Sequence, residues 1–234
     1  MKPLTERRRP RQPLPRRRIY SVAVAAPVLA LAVLLMPNGE KLRAAGPANT
    51  GHEQLACAQC HTPAEGTPRQ QIQANVRYLL GLRATPADFI HEEVGNVDCQ
   101  ACHQNDDDQH PVYRFNEPRF AEARAELAPQ YCVSCHAEHT GQRVTAEPTM
   151  CASCHADLVV LQDPIDPTHE ALVGSEQWNT CLSCHDFHGN HVRTTPTRLE
   201  EGTPEEAIAR YFAGGPPIYG TELRFPARES RLDP

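Results

Sequence analysis

Cys132-Val-Ser-Cys135-His136-Ala-Glu-His139 is followed, with 15 residues between Cys135 and Cys151, by Cys151-Ala-Ser-Cys154-His155. Both segments read C-x-x-C-H. Outward from this pair the pattern recurs at Cys57-Ala-Gln-Cys60-His61, Cys99-Gln-Ala-Cys102-His103 and Cys181-Leu-Ser-Cys184-His185. The chain holds 10 cysteines, and these five motifs use all of them. C-x-x-C-H is the attachment pattern of c-type haem. Two thiols on one short turn reach the two vinyl groups of a porphyrin, and the next residue, His, comes under the iron as proximal ligand. Disulfides would not ask for a histidine after every second cysteine. Structural zinc uses paired C-x-x-C units but has no need of five matching histidines. The expected cofactor is therefore five covalently attached haem c groups, with His61, His103, His136, His155 and His185 on iron.

Seven histidines remain to complete the irons: His52, His91, His110, His139, His169, His188 and His191. Five would make every haem six-coordinate. His139 and His188 lie three residues after His136 and His185. Each sits on the proximal side of its own haem, so each is expected to ligate a neighbouring one. His52, His91 and His169 precede a motif by 5, 8 and 12 residues and are placed to approach a distal face from upstream. His110 is the hardest to place, and His191 shares a turn with His188 and reads as spare. Met150, directly before Cys151, is the only methionine beyond the N-terminal apolar run. Bis-histidine ligation is the expectation, with potentials below those of His/Met cytochromes.

Composition limits the fold. A chain of 234 residues with 22 Pro and 6% aromatics cannot build a separate core around each of five haems. The haems must form much of the apolar interior. The expected fold is mostly irregular with short α-helices, a compact multihaem domain wrapped round a haem stack and preceded by one N-terminal transmembrane helix. The formal net charge is −6, and haem propionates add to it, which argues against nucleic acid as a partner.

Residues 1–18 carry Lys2, Arg7, Arg8, Arg9, Arg11, Arg16, Arg17 and Arg18 against the single acid Glu6. They read as a basic cytoplasmic N-terminus. The uncharged run 19–36 reads as a transmembrane signal-anchor. A cleaved signal peptide is the alternative, but Pro37-Asn-Gly-Glu-Lys-Leu-Arg separates this run from the small residues Ala44-Ala45. Residues 37–51 read as a linker, 52–191 as the pentahaem domain, and 192–234 as a Pro-rich strap over the haems or a docking tail. Haem attachment in bacteria takes place outside the cytoplasmic membrane, so the haem domain is expected in the periplasm.

Within the domain, Ile72, Val76 and Leu79 predict one face of a helix over 69–80, with Gly81 as its stop. Thr85-Pro86-Ala87-Asp88 predicts a short helix carrying Phe89, Ile90 and His91 towards the second haem. Pro118 predicts a helix to about Leu127, with Phe120, Arg124 and Leu127 on one face. Thr203-Pro-Glu-Glu fits a capping box before Ile208, Tyr211 and Phe212, and Gly214-Gly215 ends that helix. Asp106-Asp107-Asp108 reads as a solvated turn, with a calcium site as the alternative. Trp178 reads as packing.

The doubled motif at Cys132–His139 and Cys151–His155 resembles that of multihaem cytochromes c, including cytochrome c3-like proteins and decahaem electron conduits. Cys181-Leu-Ser-Cys184-His185-Asp-Phe-His188 is similar to half of the same unit. In that class the histidine three after a motif commonly serves a neighbouring haem. The N-terminus resembles membrane-bound quinol-oxidising cytochromes of the NapC and NrfH type, although those carry four haems. The C-x-x-C-K motif of pentahaem nitrite reductases is absent. The resemblance implies a membrane-anchored carrier passing single electrons between redox protein partners, with a quinol as a further partner. The alternative is a reductase of a small nitrogen or oxyanion substrate at one open haem.

Overall fold

The computed structural model describes residues 16–35 and 44–230. The basic segment 1–15, Met36, the linker part 37–43 and the last four residues lie outside that range. The chain divides into two units, Met1–Ala45 and Gly46–Pro234. The first contains helix α1 (Arg16–Leu35), with Pro27 inside it. No helix among the described residues is long and apolar enough to cross a membrane. The spanning helix expected over 19–36 is thus not found in them.

The second unit begins at Gly46, inside the expected linker. Asn49 is already buried there. The α-helices are short: α2 (Pro68–Leu79), α3 (Asn96–Gln100), α4 (Ala121–Leu127), α5 (Ala152–His155), α6 (His169–Gly174), α7 (Cys181–Cys184) and α8 (Glu205–Phe212). Single 3-10 turns and irregular chain join them. Strand pairing among the described residues is limited to the isolated bridges Pro63–His91, Asp166–Arg198 and His191–Leu223. The few buried apolar side chains among the described residues include Phe115, Ala123, Leu182, Ile208 and Tyr219.

Helix α2 starts as its sequence demands. Thr67 caps it, Gln70 completes the capping box, and Pro68 takes the first helical position. Its buried face differs from the expected one. Ile72, Val76 and Leu79 are exposed, and Gln71 is buried. The Gln71 amide donates to the carbonyls of Ala64, Glu65 and Gly66, and its oxygen accepts from Ile90 N–H. A side-chain amide with four backbone partners outcompetes an apolar contact for the inner position.

The helix expected from Thr85 is absent. Asn75 of α2 takes both backbone groups of Ala87, at 2.9 and 3.0 Å, and Ile90 turns to φ 71°. Backbone groups claimed by a distant side chain cannot form i→i+4 bonds. The segment from Pro118 forms a 3-10 turn (Pro118–Phe120) and then α4. Arg124 bridges back to the carbonyls of Phe115 and Glu117.

Helix α8 lacks the expected capping box. Pro204 holds the cap position, and Thr203 instead donates its N–H to Ser183 O at 2.9 Å. That bond lays α8 against α7 and buries Ile208 to 1% exposure. Ile208→Ala is expected to cost about 2–5 kcal/mol, measured as a lower thermal midpoint of the haem-loaded protein.

The tail beyond α8 is tied to the motif segments. Tyr219 Oη donates to Leu182 O at 2.6 Å. Asn190 brackets Phe225 through both of that residue's backbone groups. Arg228 N–H reaches Cys102 O at 3.0 Å, and Ser230 reaches Gln59. These bonds run from the fifth motif to the second and then to the first.

Candidate functional site: facing histidine pairs

Each motif is a single helical turn. The histidine N–H bonds the carbonyl of the first cysteine, His61 to Cys57 and His103 to Cys99 at 2.9 Å, His136 to Cys132 at 3.0 Å and His185 to Cys181 at 2.9 Å. Residues i, i+3 and i+4 of such a turn share a face. Both thiols and the imidazole therefore project together, as attachment to one porphyrin requires. None of the ten cysteines is joined in a disulfide. The first cysteines of motifs two and three meet, and so do those of motifs four and five. The thiols of Cys99 and Cys132 are hydrogen-bonded, which pushes Cys99 up and draws Cys132 down. Cys151 and Cys181 repeat the arrangement in the same sense.

The motif histidines each face a histidine from elsewhere in the chain. Ring centres lie 6.2 Å apart for His61 and His139, 5.9 Å for His52 and His103, and 6.1 Å for His136 and His188. His110 and His155 are 6.2 Å apart, and His169 and His185 6.1 Å. A metal–imidazole bond is about 2 Å, and the ring centre lies roughly 1 Å further back, so two rings on opposite sides of one metal stand roughly 6 Å apart. All five pairs have that spacing.

The second histidine of each pair is held through Nδ1, which leaves Nε2 for a metal. His52 Nδ1 meets Glu138 at 2.6 Å. His110 Nδ1 donates to Phe187 O at 2.6 Å, with the two rings stacked at 4.2 Å. His139 Nδ1 reaches Gly46 O at 3.2 Å. His169 Nδ1 meets Asp163 at 2.9 Å, and His188 Nδ1 meets Asp108 at 3.1 Å. Burial lowers the imidazole pKa of His103, His110, His136 and His185, which favours the neutral, coordinating form. Burial works to raise the Asp108 carboxyl, but the bonds from His188 and His110 outweigh it and hold the group below its ordinary range.

His139 and His188 face the histidines of motifs one and three, and neither faces the histidine of its own motif. His169 faces the motif just downstream. His52 and His91 depart from the expected order. His52 faces His103 of the second motif, while His91 lies 5.7 Å from His61 of the first. The missing helix explains His91. The bridge to Pro63 folds residues 90–92 back along the first motif, with Ala64 N–H to Ile90 O and Glu92 N–H to Thr62 O at 2.9 Å. His191 bonds Asp186 at 2.8 Å and contacts Tyr219.

The residues that orient these rings escape sequence reading. Asp108 belongs to the acidic triplet read as a solvated turn. Asp163 carries no motif. Glu138 alone had a signal, since it lies between two histidines. Among the described residues no group of three or more His, Cys, Asp or Glu could hold a metal ion. Facing pairs fit a metal whose other donors come from a porphyrin.

Residues 49–156 match the model of the Cytochrome c3 family. The match spans four of the five motifs and ends before the fifth. Searches of curated proteins and of solved structures find no match. The family match, together with the repeated C-x-x-C-H turns and their facing imidazoles, supports a multihaem c-type cytochrome that functions in electron transfer.

Proposed function

We propose that the protein binds five haem c groups, one at each C-x-x-C-H turn, and relays single electrons among them between redox partners. The iron ligands would be His61 with His139, His103 with His52, His136 with His188, His155 with His110, and His185 with His169. His91 and His191 are left over. The observation that carries this reading is the set of five imidazole pairs at 5.9–6.2 Å. Haem supplies the one-electron chemistry when bound. The chain's own groups hold Nδ1 of the second imidazole at each site, and burial favours the neutral form of His103, His110, His136 and His185. Two protein ligands per iron leave no position for a small substrate, which favours a relay over a reductase. Ligation by histidine without methionine keeps potentials low. The contacts of Cys99 with Cys132 and of Cys151 with Cys181 support short transfers within those two motif pairs.

The reading includes placement on the outer face of a bacterial cytoplasmic membrane, N-terminus inside. That part rests on sequence alone, on the cations of residues 1–18 and the apolar run to Met36. A quinol is a candidate donor there, and redox proteins would be met through small transient interfaces.

The test is haem quantification by mass, with carbon monoxide added to the reduced protein. Five haems and no spectral shift are expected. A shift worth one haem in five would replace the relay with a reductase, and fewer than five haems would overturn the site assignment. The ring planes of His110 and His155 lie 84° apart, against 22° for His61 and His139. These two haems are expected to give separate low-spin paramagnetic resonance signals.

A further inference from the structure

Between Gly66 and Ala87 the chain contains no aspartate or glutamate but three arginines, Arg69, Arg77 and Arg83. This is a basic stretch in a chain of net charge −6. All three arginines are exposed. The arginines paired with carboxylates among the described residues are instead Arg114, Arg119, Arg198 and Arg224. The same stretch carries the densest run of exposed apolar side chains in the second unit. Leu79, Leu80 and Leu82 are 80%, 67% and 73% exposed, with Ile72, Val76 and Tyr78 also open. Gln71 and Asn75 fasten the other side of α2 to the body. The leucines are therefore displayed on a held scaffold.

We propose that residues 66–87 form a membrane-surface contact, with the leucines seated at the acyl–headgroup boundary and the arginines against anionic phospholipid headgroups. Projecting leucines flanked by cations and free of acids match an anionic bilayer surface. An acidic protein partner would satisfy the arginines but leave a cluster of leucines to be desolvated without a stated counterpart. The contact is independent of the N-terminal segment and would set which motifs lie nearest the bilayer.

The test uses the full haem-loaded chain in vesicles of phosphatidylcholine alone or with phosphatidylglycerol added. Its N-terminal segment is then present equally in both. Trypsin cleavage after Arg83 is followed by mass spectrometry, with cleavage after the exposed Arg119 as reference. Cleavage after Arg83 is expected to slow about fivefold on the anionic vesicles, to recover in high salt, and to leave Arg119 unchanged. The variant L80S/L82S is expected to lose the protection while keeping the parent's haem spectrum. Equal cleavage on both vesicles would overturn the proposal. So would protection seen only when polyglutamate is added, which would assign the surface to an acidic protein. A changed haem spectrum in L80S/L82S would also overturn it, because the leucines would then cover a haem.

Discussion

His188→Met is expected to raise the potential of one haem by on the order of 100 mV, since axial-ligand identity is a dominant control of haem potential. The haem affected is expected to be the one held by Cys132 and Cys135, although Cys184 is far closer in sequence. His188 follows its own motif by three residues, and its ring faces His136 at 6.1 Å with planes 28° apart. Asp108 holds its Nδ1 from the other side. Redox titration reads the shift. Nuclear Overhauser contacts from the new iron-bound methyl then identify the haem. Contacts to Cys132 and Cys135 are expected, whereas contacts to Cys181 and Cys184 would show that each haem is closed by its own loop.

Asn49→Ala is expected to cost about 2–4 kcal/mol, because it strands buried partners that lose their hydrogen bonds. It should also make one iron accessible to carbon monoxide. Asn49 is 3% exposed. Its side-chain oxygen accepts from Thr140 N–H, Thr140 Oγ1 and Gly141 N–H, and its Nδ2 donates to Ala137 O at 2.9 Å. These bonds pin the turn in which His139 adopts φ 62°. Without them His139 loses its fixed approach to His61. The same loop presents Glu138 to His52, so a second haem is expected to shift as well. Asn49→Asp keeps the acceptor and should lose less. Unfolding midpoints and carbon monoxide stoichiometry together check the prediction. A destabilised variant with all irons still closed would separate the stability role from the positioning role.

Helix starts and chemistry were legible where they depend on neighbours in sequence. The Thr67–Gln70 box opens α2 where the residues place it, and the helix ends at Leu79, with Gly81 just past the cap at a φ of 71° that suits glycine. The five motif turns follow from one spacing rule. What failed was the inner face of α2 and the helix after Thr85. Both were decided by Gln71 and Asn75, whose amides bind backbone 12 to 19 residues away. The cap at Thr203 failed through a different long-range contact, the bond from its own backbone N–H to Ser183 O. Polar side chains reading distant backbone leave no periodic trace.

The sequence by itself determined how many C-x-x-C-H turns there are, which histidine follows each cysteine pair, and the shortage of methionine that makes bis-histidine ligation the expectation. All of that is carried by contacts within one turn of chain. Only the tertiary structure decided which second histidine faces which first, with both His91 and His139 beside His61, and set Asp108, Glu138 and Asp163 against the Nδ1 atoms of His188, His52 and His169. Those pairings join residues 16 to 78 positions apart. They are set by where loops without regular structure come to rest, and no short-range propensity encodes that.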